Sequence, residues 1–302
     1  MCQRCGLACV QRQGSHIDHA VREPLREVPA PARALLGQHP VPAGPPPTTR
    51  GGVAPVRVEL VADGVHLVRS SAVNWVLVED GGAVTVIDGG YPADARALTA
   101  SLTAIGRSAT DVVAALVTHA HVDHIGGLAP LAARHGVPVH TGPVEAHHAR
   151  RDFLEQAGPA DVARNAWRPR VLAWSVQIAR LGALRSVSVP TAVGDAVDGV
   201  PLDLPGRPVP VATPGHTSGH TAYLLPDAGV LVTGDALATG HPTTARTGPQ
   251  RLPPFFDHDP DRAATALDTL AALDAAVLLP GHGPAWRGTP AEAVERAVAA
   301  GS

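Results

Sequence analysis

Beyond residue 52 the chain alternates short aliphatic runs with polar turns. The runs at 56–61, 65–69, 73–79 and 83–87 are separated by Asp63-Gly64 and Asp80-Gly81-Gly82. Valine-rich runs of this length between Asp and Gly turns predict strands, and their close spacing predicts hairpins and an antiparallel start. The period then changes. Leu98, Leu102 and Ile105 share one face of a predicted helix that Gly106 stops. Leu128, Leu131 and Ala132 mark a second helix, stopped by Gly136. Between the two lies another aliphatic run, 112–117. The second half repeats the alternation, with strands at 209–213, 221–225, 230–233 and 276–279. One helix starts at Asp259-Pro260, and a last one follows the capping box Thr289-Pro290-Ala291-Glu292. Strands in both halves, each followed by helices, predict an α/β protein with sheets covered by helices. No internal repeat is visible.

Two stretches break this pattern. Residues 1–52 show no sustained periodicity and end near Pro42-Ala43-Gly44-Pro45-Pro46-Pro47. They are expected to form a disordered leader before a folded domain at 53–302. Residues 144–185, with His147, His148, Trp167 and Trp174, read as a helical insertion with irregular breaks. It serves either as a lid or substrate wall or as a plain packing unit.

Composition narrows the class. Of 302 residues 45% are apolar but only 3% aromatic, so the core must be built mostly of Ala, Val and Leu. Net charge is −3 and no long basic run occurs, which argues against nucleic acid as a partner. Arg164, Arg168 and Arg170 near Trp167 read as a solvated helix face. All 24 basic residues are arginine. Cys2, Cys5 and Cys9 all fall within the leader, where incidental thiols are the simplest account; a metal site there would need a further ligand such as His16 or His19. No signal segment and no bilayer-length apolar run is present, so no membrane partner and a cytoplasmic location are expected. Nothing in the pattern specifies an oligomeric state.

The chemistry sits where the strands end. The run 112–117 leads into Thr118-His119-Ala120-His121-Val122-Asp123-His124, three imidazoles and a carboxylate within six positions. Imidazole and carboxylate are ligands for zinc and similar cations. In an extended segment His119 and His121 point to one side and can converge on one ion. Asp123 and His124 lie beyond and can face a second. Four more strands run into Asp88-Gly89-Gly90, Pro214-Gly215-His216, Gly234-Asp235 and Pro280-Gly281-His282-Gly283. Sites in α/β layers are assembled from such loops.

The motif His119-x-His121-x-Asp123-His124, with His216, Asp235 and His282 downstream, resembles the metallo-β-lactamase superfamily of hydrolases, from about residue 53 to the C-terminus. The resemblance implies a four-layer αβ/βα sandwich, the metallo-β-lactamase fold, with a two-metal site at one edge of the paired sheets. It implies that His119, His121 and His216 bind one metal, that Asp123, His124 and His282 bind the other, and that Asp235 bridges them. Asp88 would sit behind the ligands and hold one by hydrogen bonds. Two zinc ions are the implied cofactor, with iron or manganese also accepting this ligand set. Thr233-Gly234-Asp235 looks most like the glyoxalase II and lactonase branches, although the absence of lysine stands against a glutathione substrate.

The expected activity is hydrolysis of an ester, thioester, lactone or amide, a small-molecule substrate, by hydroxide held between the metals. Asp123 is the residue also given a catalytic role, orienting the nucleophile or moving its proton. Two readings compete: an enzyme like the mono-iron persulfide dioxygenases, and a metal-binding protein without catalysis. Of the other histidines, His220 is expected to be structural, and His147 and His148 to be exposed on a helix. His241 and His258 lie near the expected pocket mouth without an assigned role, and Tyr223 is expected in the core.

Overall fold

The computed structural model describes residues 56–301. The expected leader, with Cys2, Cys5, Cys9, His16 and His19, lies outside them. Strands β1 (Arg57–Ala62), β2 (Val65–Arg69), β3 (Asn74–Asp80) and β4 (Ala83–Ile87) form an antiparallel meander. The expected hairpins are therefore present. Beyond β4 the sheet becomes parallel, adding β5 (Val112–Leu116), β6 (Val139–His140) and β7 (Ala192–Val193). Parallel neighbours need crossovers. Helix α1 (Ala95–Ala104) connects β4 to β5; α2 (Val122–Ile125) and α3 (Leu128–His135) connect β5 to β6. Three helices lie between β6 and β7: α4 (Pro143–Arg150), α5 (Pro159–Asn165) and α6 (Pro169–Leu181). Each opens on a proline, whose missing N–H costs nothing in a first turn.

The second sheet is built from β8 (Val209–Ala212), β9 (Thr221–Leu225) and β10 (Val230–Gly234). After it, β11 (Ala238–Gly240) and β12 (Thr247–Gln250) pair as a separate ribbon, followed by α7 (Pro260–Ala271). Strands β13 (Val277–Pro280) and β14 (Trp286–Arg287) complete the sheet in the order β14-β13-β10-β9-β8, and α8 (Pro290–Ala300) closes the chain. At its start Thr289 Oγ1 accepts from Glu292 N at 3.2 Å, and Glu292 Oε2 accepts from Thr289 N at 2.9 Å, the reciprocal cap expected from the sequence.

Alternation along the strands decides the layers. In β3, Val76 and Val78 pack with Tyr223, Leu225 and Val232 between the sheets. Trp75 and Leu77 face the other way and pack with Leu98 and Leu102 of α1. In the second sheet Val230, Val232 and Leu279 point inward, whereas Leu231 and Leu278 pack with Leu267 and Leu270 of α7 and Ala293 of α8. The result is helix, sheet, sheet, helix: the four-layer sandwich. Each leucine side chain so buried contributes about 1.5–3 kcal/mol. Trp75 keeps its one polar atom satisfied by donating from Nε1 to Ser101 Oγ at 3.1 Å. Among the described residues, no helix is long and apolar enough to cross a membrane.

Candidate metal centre

Strands β4 and β5 are parallel neighbours in one sheet, and β10 and β13 are parallel neighbours in the other. Their carboxyl ends meet across the sandwich. Thr221 N donates to Thr118 O at 2.9 Å, and Tyr223 Oη donates to Val117 O at 3.0 Å. Tyr223 is thus buried between the sheets, as expected, and fixes the strand that feeds the histidine loop. Asn74 Nδ2 donates to Pro280 O at 2.9 Å and Gly283 O at 2.7 Å, which pins the loop carrying His282. Gly281 has no substitute here: a Cβ on it would stand 2.2 Å from Asp235 Oδ1.

Seven side chains converge as three overlapping groups: His119, His121 and His216; His119, His124 and Asp235; Asp123, His124 and His282. Within each, one donor atom per residue lies within 4.8 Å of the others. Every group takes two members from the segment His119–His124 that follows β5 and runs into α2, and one from the second sheet. Asp235 reaches both sides. Its Oδ2 lies 3.5 Å from His216 Nε2, 3.9 Å from His119 Nε2 and 3.2 Å from His282 Nε2, while Oδ1 lies 3.5 Å from His124 Nε2. Asp123 Oδ2 stands 3.5 Å from His282 Nε2 and 4.0 Å from His124 Nε2.

On all five imidazoles, the nitrogen facing away from the centre has a hydrogen-bond partner. His119 Nδ1 lies 3.1 Å from Thr118 Oγ1, and His124 Nδ1 2.8 Å from Asp88 Oδ2. His121 Nε2 donates to the carbonyl of Glu155 at 2.6 Å, and His282 Nδ1 to that of Ala72 at 2.8 Å. His216 Nδ1 lies 3.0 Å from Asp257 Oδ1. Such partners fix the tautomer and turn the other nitrogen's lone pair toward a metal. The inward His119 Nε2, His124 Nε2 and Asp235 Oδ1 are buried without any hydrogen-bond partner. Buried polar atoms in that state are costly unless water or an ion takes them up, and converging imidazole nitrogens and carboxylate oxygens are the donor set that fits a cation. Asp88 anchors the arrangement by accepting from Thr118 N at 2.9 Å and Thr118 Oγ1 at 2.7 Å, from a left-handed backbone with φ of 62°. That conformation is strained for a non-glycine residue.

Electrostatics divide the ligands. Burial, reinforced by the neighbouring imidazoles, holds His119 and His121 well below the ordinary histidine range, in the neutral ligand form. Burial also penalises charge on His124, but Asp88, Asp235 and Asp123 override it and raise this group well above that range. His282 is raised likewise against its own burial, chiefly by Asp235. Asp235 is held well below the carboxylate range, its burial outweighed by His282 and His124. A cation entering here would displace protons from His124 and His282, the two imidazoles that are raised.

Several neighbours were invisible to sequence reasoning. Glu145, fully buried on α4, accepts from Ala120 N at 2.6 Å, from His148 Nδ1 at 2.7 Å and from Thr217 Oγ1 at 2.7 Å. It thereby joins the two loops that carry the first group. Gly219 is where it fits, since a Cβ there would lie 2.4 Å from Glu145 N. Glu155 accepts from Ser218 N at 2.7 Å and from Ser218 Oγ. Asp257 precedes α7 with no motif to single it out.

Some expectations need correction. His148 is fully buried rather than exposed, because Glu145 provides a partner inside the protein; His147 remains near the surface beside Asp152. His220 is a structural residue: it accepts from Asp235 N at 3.1 Å through Nε2, and burial pulls its pKa down to about 3. His241 lies against His282, ring centroids 4.8 Å apart, and lines a cavity of about 770 Å³ whose floor includes Asp123, His216, Asp235 and His282. Tyr91 lines it too, and burial together with Asp123 keeps its phenol protonated.

The family profile described as Metallo-beta-lactamase superfamily matches residues 68–282. A probable metallo-hydrolase of Bacillus subtilis (strain 168), YflN, is 26% identical over 231 residues, which cover 74% of this chain and 84% of that protein. A hydroxyacylglutathione hydrolase of Acidiphilium cryptum (strain JF-5) is 34% identical over 204 residues, 67% of this chain and 60% of its own length. The chain therefore spans little more than half of that relative. Among solved structures, a metallo-beta-lactamase of Cronobacter sakazakii aligns with a TM-score of 0.60 at 21% identity, covering 82% of this chain and 93% of that one. That likeness bears on the fold alone.

Proposed function

The chain belongs to the metallo-beta-lactamase superfamily, and from that premise we propose that it hydrolyses an ester, thioester, lactone or amide at a two-cation centre, zinc by preference. The carrying observation is the convergence of the three ligand groups, with His119 Nε2, His124 Nε2 and Asp235 Oδ1 unpaired inside and every outward imidazole nitrogen engaged. In this reading His119, His121 and His216 hold one cation, Asp123, His124 and His282 the other, and Asp235 lies between them. The domain responsible is residues 53–302, preceded by the leader at 1–52.

When bound, the cations supply Lewis acidity and a water acidified toward neutral pH. The protein's own groups do the rest. Asp88, Asp257, Thr118 and the carbonyls of Glu155 and Ala72 hold the imidazoles in one tautomer, so no reorientation is needed during reaction. Asp123, whose side chain is 14% exposed on the cavity floor, orients the attacking water and takes its proton. Tyr91 offers a neutral phenol as a donor beside it.

Metal analysis of the protein purified without added metal, combined with assays on thioester, lactone and aryl-ester panels, tests this. About two zinc ions per chain with turnover is the expected result. A single iron with oxygen uptake on persulfides would replace the proposal with a dioxygenase. Full zinc loading without turnover would leave a metal-binding protein.

A further inference from the structure

The cavity over the metal floor encloses about 770 Å³, the size of sites that surround a whole small molecule. Above the floor its walls are mainly aliphatic and aromatic, with Leu154, Val162, Trp174, Ile178, Leu184 and Phe256, and carry few neutral polar side chains, Gln156, Ser175 and Ser186. Val162 belongs to α5 and Trp174 and Ile178 to α6, so the helical stretch between β6 and β7 forms one side. Leu154 and Leu184 are 59% and 77% exposed and carry apolar surface outward from the lining.

Charge is scarce on these walls. The lining includes two cationic side chains, Arg151 and Arg185. Arg151 Nη1 is taken up by the carbonyls of Ala120 at 3.0 Å and His148 at 2.8 Å, while Arg185 is exposed to solvent. The acidic members of the lining, Asp123 and Asp235, both belong to the floor. A glutathione thioester brings two carboxylates and an ammonium; Arg185 at the rim can meet one carboxylate, and the aliphatic walls offer no partner to the other charges. An alkyl chain brings none.

We infer that this cavity takes the apolar acyl group of a medium-chain ester, thioester or lactone, and is not built for a glutathione thioester. The inference rests on the hydrolytic reading of the metal floor. Water's oxygen joins the acyl carbon, the bond from that carbon to the leaving oxygen or sulfur breaks, and the leaving atom gains a proton. A free fatty acid and an alcohol or thiol result, or a hydroxy acid from a lactone.

Each methylene moved from water into the walls is worth about a threefold to fourfold gain. With zinc-loaded full-length protein, kcat/KM for p-nitrophenyl butanoate, hexanoate and octanoate should climb accordingly, on the order of a hundredfold across the series. The Kd of the matching free fatty acids, measured by calorimetry, should fall along the same series. Ile178→Trp, checked for folding by circular dichroism, should shift the preferred length toward shorter chains. Flat series in both measurements, or preference for S-lactoylglutathione over the octanoyl ester, overturns the inference. Acids that bind with the expected length dependence while no ester is turned over would support the cavity assignment and remove the hydrolytic reading. Turnover indifferent to length would do the reverse.

Discussion

Nε2 of His216 lies 3.1 Å from Nδ1 of His121, although 95 residues separate the two in sequence. Each ring uses its other nitrogen elsewhere, His121 toward the Glu155 carbonyl and His216 toward Asp257. The facing nitrogens therefore present lone pairs to one another, a repulsive arrangement that a shared cation turns into ligation. Zinc–nitrogen bonds of about 2.0–2.1 Å in a tetrahedron place ligand atoms about 3.3 Å apart, close to this spacing.

Chelation should accordingly destabilise the fold, and zinc should restore it. Free zinc at a hundred times its Kd adds about 2.7 kcal/mol. Scanning calorimetry with EDTA, then with excess zinc, reads the shift. A melting temperature indifferent to both would deny these groups a cation.

Asp235 lies beside the proposed ligands of both cations, so Asp235→Ala should lose at least one metal per chain and lower kcat/KM by at least about a hundredfold. Elemental analysis and steady-state rates on the same preparation check it. Full metal content at an undiminished rate would remove Asp235 from between the cations.

Glu145 links the loop after β5 to the loop after β8. Glu145→Ala leaves the donors of Ala120, His148 and Thr217 buried and unpaired, which should cost about 3–5 kcal/mol. Glu145→Gln keeps the shape and an acceptor oxygen, and should cost less. Urea melts of both variants give the comparison; an alanine variant within about 1 kcal/mol of the parent would show that the loops do not depend on this carboxylate.

Legibility in the sequence followed the length and periodicity of each element. The strands of four or more residues flanking Asp88, His119, His216, Asp235 and His282 show themselves as aliphatic runs, and so do the helices stopped by Gly106 and Gly136. Strands β6, β7 and β14 have two residues each, too few for an alternation to register. Among the site residues, the ligands are chemically distinctive and clustered. Glu145, Glu155 and Asp257 are ordinary acids on helices or loops, and only the chain path brings them to the centre. His148 misled for the same reason, since its burial depends on Glu145 one turn away.

Asp94 provides a pH test on a carboxyl that is not itself a proposed ligand. Its Oδ2 accepts from Tyr91 N at 3.0 Å, and burial, with Asp123 adding to it, pushes its pKa up to about 6 from the usual 3.8. A raised carboxyl pKa means the folded state binds more protons than the unfolded one between those values. Its stabilising contribution is complete below about pH 3.8 and is lost as pH rises through 6. Asp94→Asn keeps the acceptor and abolishes the titration. On metal-stripped protein its stability relative to the parent should rise by about 1–3 kcal/mol between pH 4 and 7, read from denaturant melts. A constant difference would place no titration there.

The two-plus-one make-up of each ligand trio has a bearing on biosynthesis. A nascent chain that has left the ribosome only as far as β7 owns no finished trio, whatever the metal supply. On the proposed ligand assignment, the first trio waits for the loop after β8, the second for β10 and the last for β13. Loading at this centre would then follow, and report on, the docking of the second sheet.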